Sequence, residues 1–219
     1  MKDRILRLLC AAAKAYKEFK SGFRLGADGK EAFSAVLRSL ENSLGQYCLQ
    51  YDYLCGADSA KTDGITQNYV PAPGDAVLMD LSVGKDGVWC DVCRTFFVGY
   101  ADRKQREDFA ALKGALRAGE KVLCAGARAE DVFGAVNGAL GGALVHHAGH
   151  LFGTGPLMPP RFMRGERAVL EEGSFATLEP GLYRKNFGIR IENDYFIGGN
   201  AENLFEGLMP LELEDYILQ

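Results

Sequence analysis

Four carboxylates lie inside β segments that are otherwise apolar, and any fold of this chain has to accommodate them. Asp80 follows Leu78 and Met79 and precedes Leu81; Asp91 stands between Cys90 and Val92; Glu179 follows Leu178; Glu192 follows Ile191. The β segments 76–83 and 88–98 flank Gly84-Lys85-Asp86-Gly87, a strong hairpin signal. Segments 174–183 and 188–197 predict a second hairpin. A turn on Lys85-Asp86 sets Asp80 directly opposite Asp91, and a turn on Lys185-Asn186 sets Glu179 opposite Glu192. Like charges about 5 Å apart at Cβ destabilise a sheet. Either one acid of each pair is protonated, or the four carboxylates bind divalent cations.

Helical periodicity surrounds the hairpins. Ile5, Leu8, Leu9, Ala12, Tyr16 and Phe19 predict a helix over 3–21, with Gly22 as its stop. Phe33, Val36, Leu37, Leu40 and Leu44 predict a second over 30–44. A strand over 47–55 and a Gly/Asp/Thr/Asn-rich loop over 56–68 lead to Pro71-Ala72-Pro73-Gly74. Helices are predicted again over 103–123 and 130–140, before a His-rich segment and the second hairpin. Helix, helix, hairpin therefore occurs twice, without residue-level identity between the halves and without a linker. This predicts one α+β domain folded as two similar lobes. The acidic stretch 212–215 reads as a solvated end, and Trp89 with the Phe and Leu stripes reads as core.

Composition excludes several function classes. With 219 residues, 47% hydrophobic and 25% charged, the chain has globular proportions. Its 25 Lys and Arg against 29 Asp and Glu give a net charge of −4, so no basic field draws in nucleic acid or an anionic membrane. No run approaches the ~18 apolar residues of a membrane span. Six scattered cysteines without a signal peptide suit reduced thiols in a cytoplasm. Cys90 and Cys93, three apart in a strand, face opposite sides and read as two buried thiols rather than a zinc or disulfide pair.

All three histidines fall in His146-His147-Ala148-Gly149-His150, where His146 and His150 share a face in either a strand or a helix. An imidazole beside the acidic pairs favours cations over protons. One imidazole and four carboxylates, some bridging, can hold two first-row metal ions and a shared water; Mn²⁺, Co²⁺, Fe²⁺ and Zn²⁺ all suit such a set.

These residues in this order resemble the metallopeptidase family of methionine aminopeptidases and Xaa-Pro aminopeptidases, which share the pita-bread fold with creatinase. The resemblance rests on Pro73-Gly74-Asp75, Leu78-Met79-Asp80-Leu81, Cys90-Asp91-Val92-Cys93-Arg94-Thr95-Phe96, Ala148-Gly149-His150, Leu178-Glu179-Pro180-Gly181 and Arg190-Ile191-Glu192-Asn193. It implies two lobes around a curved antiparallel sheet and a ligand set of Asp80, Asp91, His150, Glu179 and Glu192. Asp80 would chelate one metal, His150 and Glu179 the other, with Asp91 and Glu192 bridging. His146, four residues before His150, is closer to the Xaa-Pro branch, as are Tyr183 and Arg190. The resemblance covers nearly the whole chain, 1–219, as one catalytic domain that begins where the family's catalytic domain begins. The N-terminal domain of Xaa-Pro relatives, which helps shape their pocket and dimer, is then absent; a homodimer is allowed.

Two positions depart from the family. Leu157 stands where a second catalytic histidine is expected, and Asp63 where the upstream loop carries another. Each loss removes a hydrogen-bonding group and costs ~10²-fold or more in rate unless His146 or His147 substitutes. The expected function is a dinuclear, metal-dependent hydrolysis of short peptides with Glu179 as general base, His146 as a further catalytic group, and Asp63, His146, Leu157, Tyr183 and Arg190 around the substrate. The alternative is a metal-binding module, weak or silent in catalysis, that binds a peptide or protein partner.

Overall fold

The computed structural model describes residues 1–219. Helices α1 (Lys2–Gly22) and α2 (Gly29–Leu44) precede β1 (Cys48–Cys55), β2 (Ala76–Lys85) and β3 (Val88–Val98). Helices α3 (Arg103–Glu120) and α4 (Ala129–Ala139) follow. The second half then adds short strands: β4 (His150–Phe152), β5 (Met158–Arg161), β6 (Phe175–Leu178), β7 (Gly181–Tyr183), β8 (Gly188–Arg190), β9 (Asn193–Ile197), β10 (Ala201–Asn203) and β11 (Ile217–Leu218). The anticipated helix, helix, hairpin order thus occurs twice.

The apolar stripe of α1 is buried as its spacing requires, with Ile5, Leu9, Ala12, Tyr16 and Phe19 wholly inaccessible. It packs on α2 and on β2 and β3. Asp28 caps α2 by accepting from the Lys30 amide at 2.7 Å. A reciprocal capping box of Asp102 and Gln105 starts α3. That helix ends at Glu120 rather than 123, because the Val122 and Leu123 amides both turn back to the Gly119 carbonyl. The turn, not a further helical one, buries Leu123.

The first hairpin differs from the register read from the sequence. Its turn is Asp86-Gly87, with φ of 51° and 74°, and Lys85 pairs with Val88. Both central residues of such a two-residue turn need left-handed backbone, which Asp-Gly adopts and Lys does not favour. Asp80 therefore faces Cys93, and Asp91 faces Ser82. The slip is by a whole pleat, so Asp80 and Asp91 keep the same sheet face as diagonal neighbours. On its other side Asp80 faces Asp52 of β1 directly.

The second hairpin keeps its expected register but is not continuous. Strands β6 and β9 lie in a five-stranded sheet ordered β10-β9-β6-β4-β5, whereas β7 and β8 form a separate two-stranded ladder. Glu179-Pro180 and Ile191-Glu192 occupy the interruption, where Pro180 lacks an amide for the ladder. Glu192 instead makes an isolated bridge to Cys93, tying this sheet to the β1-β2-β3-β11 sheet of the first half. The two halves are thus joined at the acid itself.

Residues 212–215 are not a free end. A 3-10 turn over Leu213–Tyr216 leads into β11, which pairs in parallel with β3. The charged tips stay outside while Tyr216 is fully buried. Cys90 and Cys93 are both free, buried thiols, as their spacing predicts. No helix is long and apolar enough to cross a membrane.

Candidate metal centre

The ends and interruptions of the strands deliver the five expected ligand residues to one place. Asp80 comes from β2, Asp91 from β3, His150 opens β4, Glu179 follows β6, and Glu192 precedes β9. All five line a single cavity of about 400 Å³, together with Asp52, Asp63, His146, His147, Leu157 and Arg190. A larger cavity of about 500 Å³ lies between α1 and the β2–β3 turn; its cations Arg4, Arg7, Lys14 and Lys85 converge on no acid–base set.

His150 Nε2 is the hub. It lies 3.6 Å from Asp91 Oδ2, 3.6 Å from Glu179 Oε1 and 3.9 Å from Glu192 Oε1. The other ring nitrogen, Nδ1, lies 2.9 Å from the Leu151 carbonyl, so the proton belongs there and the Nε2 lone pair points at the acids. Separations of this size are those of ligand atoms gathered around one small cation at ~2.0–2.2 Å. One ligand atom each from Asp91, His150 and Glu192 falls within a mutual 4.8 Å. Gly149 permits this placement, since a Cβ there would sit 2.0 Å from the Thr177 carbonyl oxygen.

The buried acids call for either protons or a cation. Burial pushes the Asp91 and Glu192 carboxyls well above their ordinary range, and the neighbouring acids push them further. Asp80 is raised too, by burial against the opposing pull of Arg190. Burial also pushes Glu179 up, but the facing His147, with His150 and His146 behind it, holds it down to about 2. His147 Nδ1 and Glu179 Oε1 are 2.9 Å apart, yet they are out of line for a hydrogen bond and both are left without a partner in the protein. The donor set of buried oxygens and one oriented imidazole fits divalent metal ions.

Surrounding groups fix the ligands. Ser82 Oγ donates to Asp91 Oδ1 at 2.8 Å. Arg190 Nη2 donates to Asp80 at 2.7 Å and to Asp52 at 2.9 Å, which resolves the facing aspartates of β1 and β2. Arg190 Nη1 reaches the Thr62 carbonyl at 2.6 Å and Tyr183 Oη at 3.2 Å. Tyr183 in turn donates to His146 Nε2 at 3.0 Å, since His146 Nδ1 faces the His147 carbonyl at 2.7 Å and carries the proton. Both ring nitrogens of His146 are therefore engaged inside the protein, and Tyr183 lies behind the cavity wall. His147 stands nearer the cluster.

Sequence reasoning passed over Asp52, which β1 register alone would have placed beside Asp80. It also gave no role to Arg94, whose guanidinium is wholly buried and bonded to backbone at the Cys93–Glu192 bridge. Asp194 went unnoticed as well; it accepts from the Asp91 amide at 3.1 Å. Asp63 and Leu157, the two departures, both line the cavity as expected.

The model of metallopeptidase family M24 matches residues 4–198 of this chain. The chain belongs to metallopeptidase family M24. Among curated members, it is 30% identical over 203 residues to the Xaa-Pro dipeptidase of Lactobacillus helveticus, covering 87% of this chain and 55% of that one. It is 29% identical over 152 residues to the Xaa-Pro dipeptidase of Pyrococcus furiosus, covering 67% and 44%. Among solved M24 structures, the prolidase from Pyrococcus furiosus superposes with a TM-score of 0.86 at 26% identity, covering 92% of this chain and 63% of that one. The X-Pro aminopeptidase from Thermotoga maritima gives a TM-score of 0.90 at 20% identity over 99% and 62%, a likeness of fold. The chain thus spans about half the length of the curated relatives it matches, and its resemblance lies in the Xaa-Pro branch.

Proposed function

We propose that this chain is a dinuclear, metal-dependent peptidase acting on short peptides of the Xaa-Pro type. The observation that carries the reading is the convergence of His150 Nε2 with three buried carboxylates, 3.6 to 3.9 Å away. Asp80, Asp91, His150, Glu179 and Glu192 would hold the metals. Two divalent ions there would supply Lewis acidity and a bridging water acidified enough to attack a peptide carbonyl near neutral pH. Manganese, cobalt, iron or zinc would serve.

The protein's own groups then have distinct tasks. Glu179 is the general base: it is buried, and its Oε1 is free of protein hydrogen bonds to take a proton. His147, beside it and on the cavity surface, is better sited than His146 to pass a proton to the leaving amine. His146 and Tyr183 instead buttress Arg190, which keeps Asp80 in place. The relatives carrying the names Xaa-Pro dipeptidase and prolidase support the substrate class.

The test is hydrolysis of a short-peptide panel, with and without proline second, in Mn²⁺, by wild type beside Glu179→Gln. Turnover by wild type alone, with both proteins folded and metal-loaded, is expected. Undiminished turnover by Glu179→Gln would sink the assignment. Leu157 and Asp63, which offer no proton donor at the rim, favour the second reading of a metal-bound peptide-binding module. Silence in both proteins toward the whole panel would select it.

A further inference from the structure

The cavity of about 500 Å³ between α1 and the β2–β3 turn shares no lining residue with the metal centre. Its charge is also unlike that of the chain. Whereas the chain carries −4, this cavity gathers Arg4, Arg7, Lys14 and Lys85 around one carboxylate, Asp86, and none of the four cations forms an ion pair. Arg4 Nη2 donates to the Asp86 carbonyl, and Lys85 Nζ donates to the Leu44 and Gln46 carbonyls at 2.7 and 2.9 Å. Neutral carbonyls hold a cation in place without cancelling its charge. Arg7 and Lys14 are exposed and have no partner in the chain.

The helix sets the spacing of these charges. Arg4, Arg7, Ala11 and Lys14 fall three, four and three residues apart, which is one face of α1, so Arg4 and Arg7 stand about 4.5 Å apart along its axis. Between and beside them the wall is apolar, with Leu8, Ala11 and Val88 buried. A concavity of this size, apolar with a few convergent polar groups, has the dimensions of a small-molecule site. Four cations against one carboxylate leave three positive charges. Two linked phosphoryl groups, at about −1.5 to −2 each, balance them, and a single one does not. Two guanidinium forks side by side also match the paired oxygens of neighbouring phosphoryl groups.

We propose that this cavity is a second ligand site, which binds a diphosphate group, either as the free ion or as the end of a small ester whose apolar part lies against Leu8 and Val88. Arg4, Arg7 and Lys14 are its phosphate ligands from α1, and Lys85 closes it from the hairpin. The proposal stands independently of the peptidase reading, since none of these residues belongs to the metal centre.

Calorimetric titration of the Mn²⁺-loaded chain, cleared of excess ion, with inorganic pyrophosphate, orthophosphate and ADP tests this. Pyrophosphate should saturate a site and bind at least ~10-fold more tightly than orthophosphate. Arg7→Glu, an exposed position, should weaken it ~10-fold or more, and adding Lys14→Glu should weaken it further, whereas Lys121→Glu at the end of α3 should leave it unchanged. ADP bound more tightly than pyrophosphate assigns the site to an ester; the reverse order assigns it to the free ion. Cys10 lines the same cavity and Cys48 is exposed outside it. Saturating pyrophosphate should therefore slow alkylation of Cys10 by iodoacetamide severalfold and spare that of Cys48. No saturable binding, orthophosphate bound as tightly as pyrophosphate, or an affinity unmoved by Arg7→Glu overturns the proposal. So does an equal loss in Lys121→Glu, which would report net charge alone, or a Cys10 rate indifferent to pyrophosphate.

Discussion

Arg94 donates to the backbone carbonyl of Glu192 at 2.7 Å, across the point where the two sheets of the molecule meet. The same guanidinium reaches the Cys93 carbonyl, the Asn193 side chain, the Met209 carbonyl and Tyr216 Oη, and stacks 4.6 Å from the Phe205 ring centroid. No carboxylate pairs with it. It acts as a clamp on the backbone that carries Glu192. Arg94→Met leaves these acceptors buried without donors and should cost about 3 kcal/mol or more in urea unfolding. Metal affinity should fall ~10-fold or more through the displaced Glu192, with partial recovery in Arg94→Lys. Unchanged metal affinity in a folded Arg94→Met protein would deny the clamp.

Gly149 sets the position of His150. An added Cβ would lie 2.0 Å from the Thr177 carbonyl oxygen and 2.9 Å from the Phe162 ring, both in packed core. Gly149→Ala should destabilise by ~1–3 kcal/mol or more and push His150 away from the acids. Equilibrium unfolding and metal stoichiometry read the two effects separately. A neutral substitution would mean that the backbone shifts freely here.

The metal-free site should be sensitive to pH in a defined direction. Burial and neighbouring acids raise Asp91 and Glu192. A raised folded pKa contributes stability below the ordinary carboxylate range and loses it as pH rises through the folded value. Divalent ions replace the protons, so Mn²⁺ should stabilise more at pH 7.5 than at pH 5. At Mn²⁺ a hundredfold above Kd, the gain at pH 7.5 should be ~5–10 °C in Tm. Thermal scans with Mn²⁺ and with EDTA check this; a larger gain at pH 5 would contradict it.

Away from the site, Asp108 gives the opposite sign. Burial would push its carboxyl up, but two 2.7 Å bonds from Arg184 and a 2.9 Å pairing with Lys104 hold it below its ordinary range. Its stabilisation is therefore present above the unfolded pKa near 4 and is lost as pH falls through the folded value. Asp108→Asn should cost ~1.5–3 kcal/mol at pH 7, and the difference from wild type should shrink as pH falls below the ordinary carboxylate range. Urea midpoints across that range measure it. A pH-independent difference would mean that Asp108 contributes shape rather than charge.

The sequence exposed the helices through their stripes and the acids through their apolar neighbours. What it misplaced was the first hairpin's register, because Lys85-Asp86 and Asp86-Gly87 are both turn-like dipeptides and only backbone handedness separates them. Register of β1 was out of reach for a related reason: nothing local fixes which residue of 48–55 meets Asp80, so the Asp52–Arg190–Asp80 arrangement stayed hidden. The break of the second hairpin was legible in Pro180. Tyr216 and Arg94 were not, since a buried aromatic near the C-terminus and a buried cation find their roles only through contacts distant in sequence.

The most direct test is metal stoichiometry. Metal-free chain titrated with Co²⁺, followed by absorption and by ion content after gel filtration, should take up two ions per chain in wild type. Asp91→Asn and Glu192→Gln, each with intact circular dichroism, should lose tight binding of both, because in the proposed dinuclear site each of these side chains would serve both ions. No uptake by wild type, or wild-type uptake by both variants, would contradict the account.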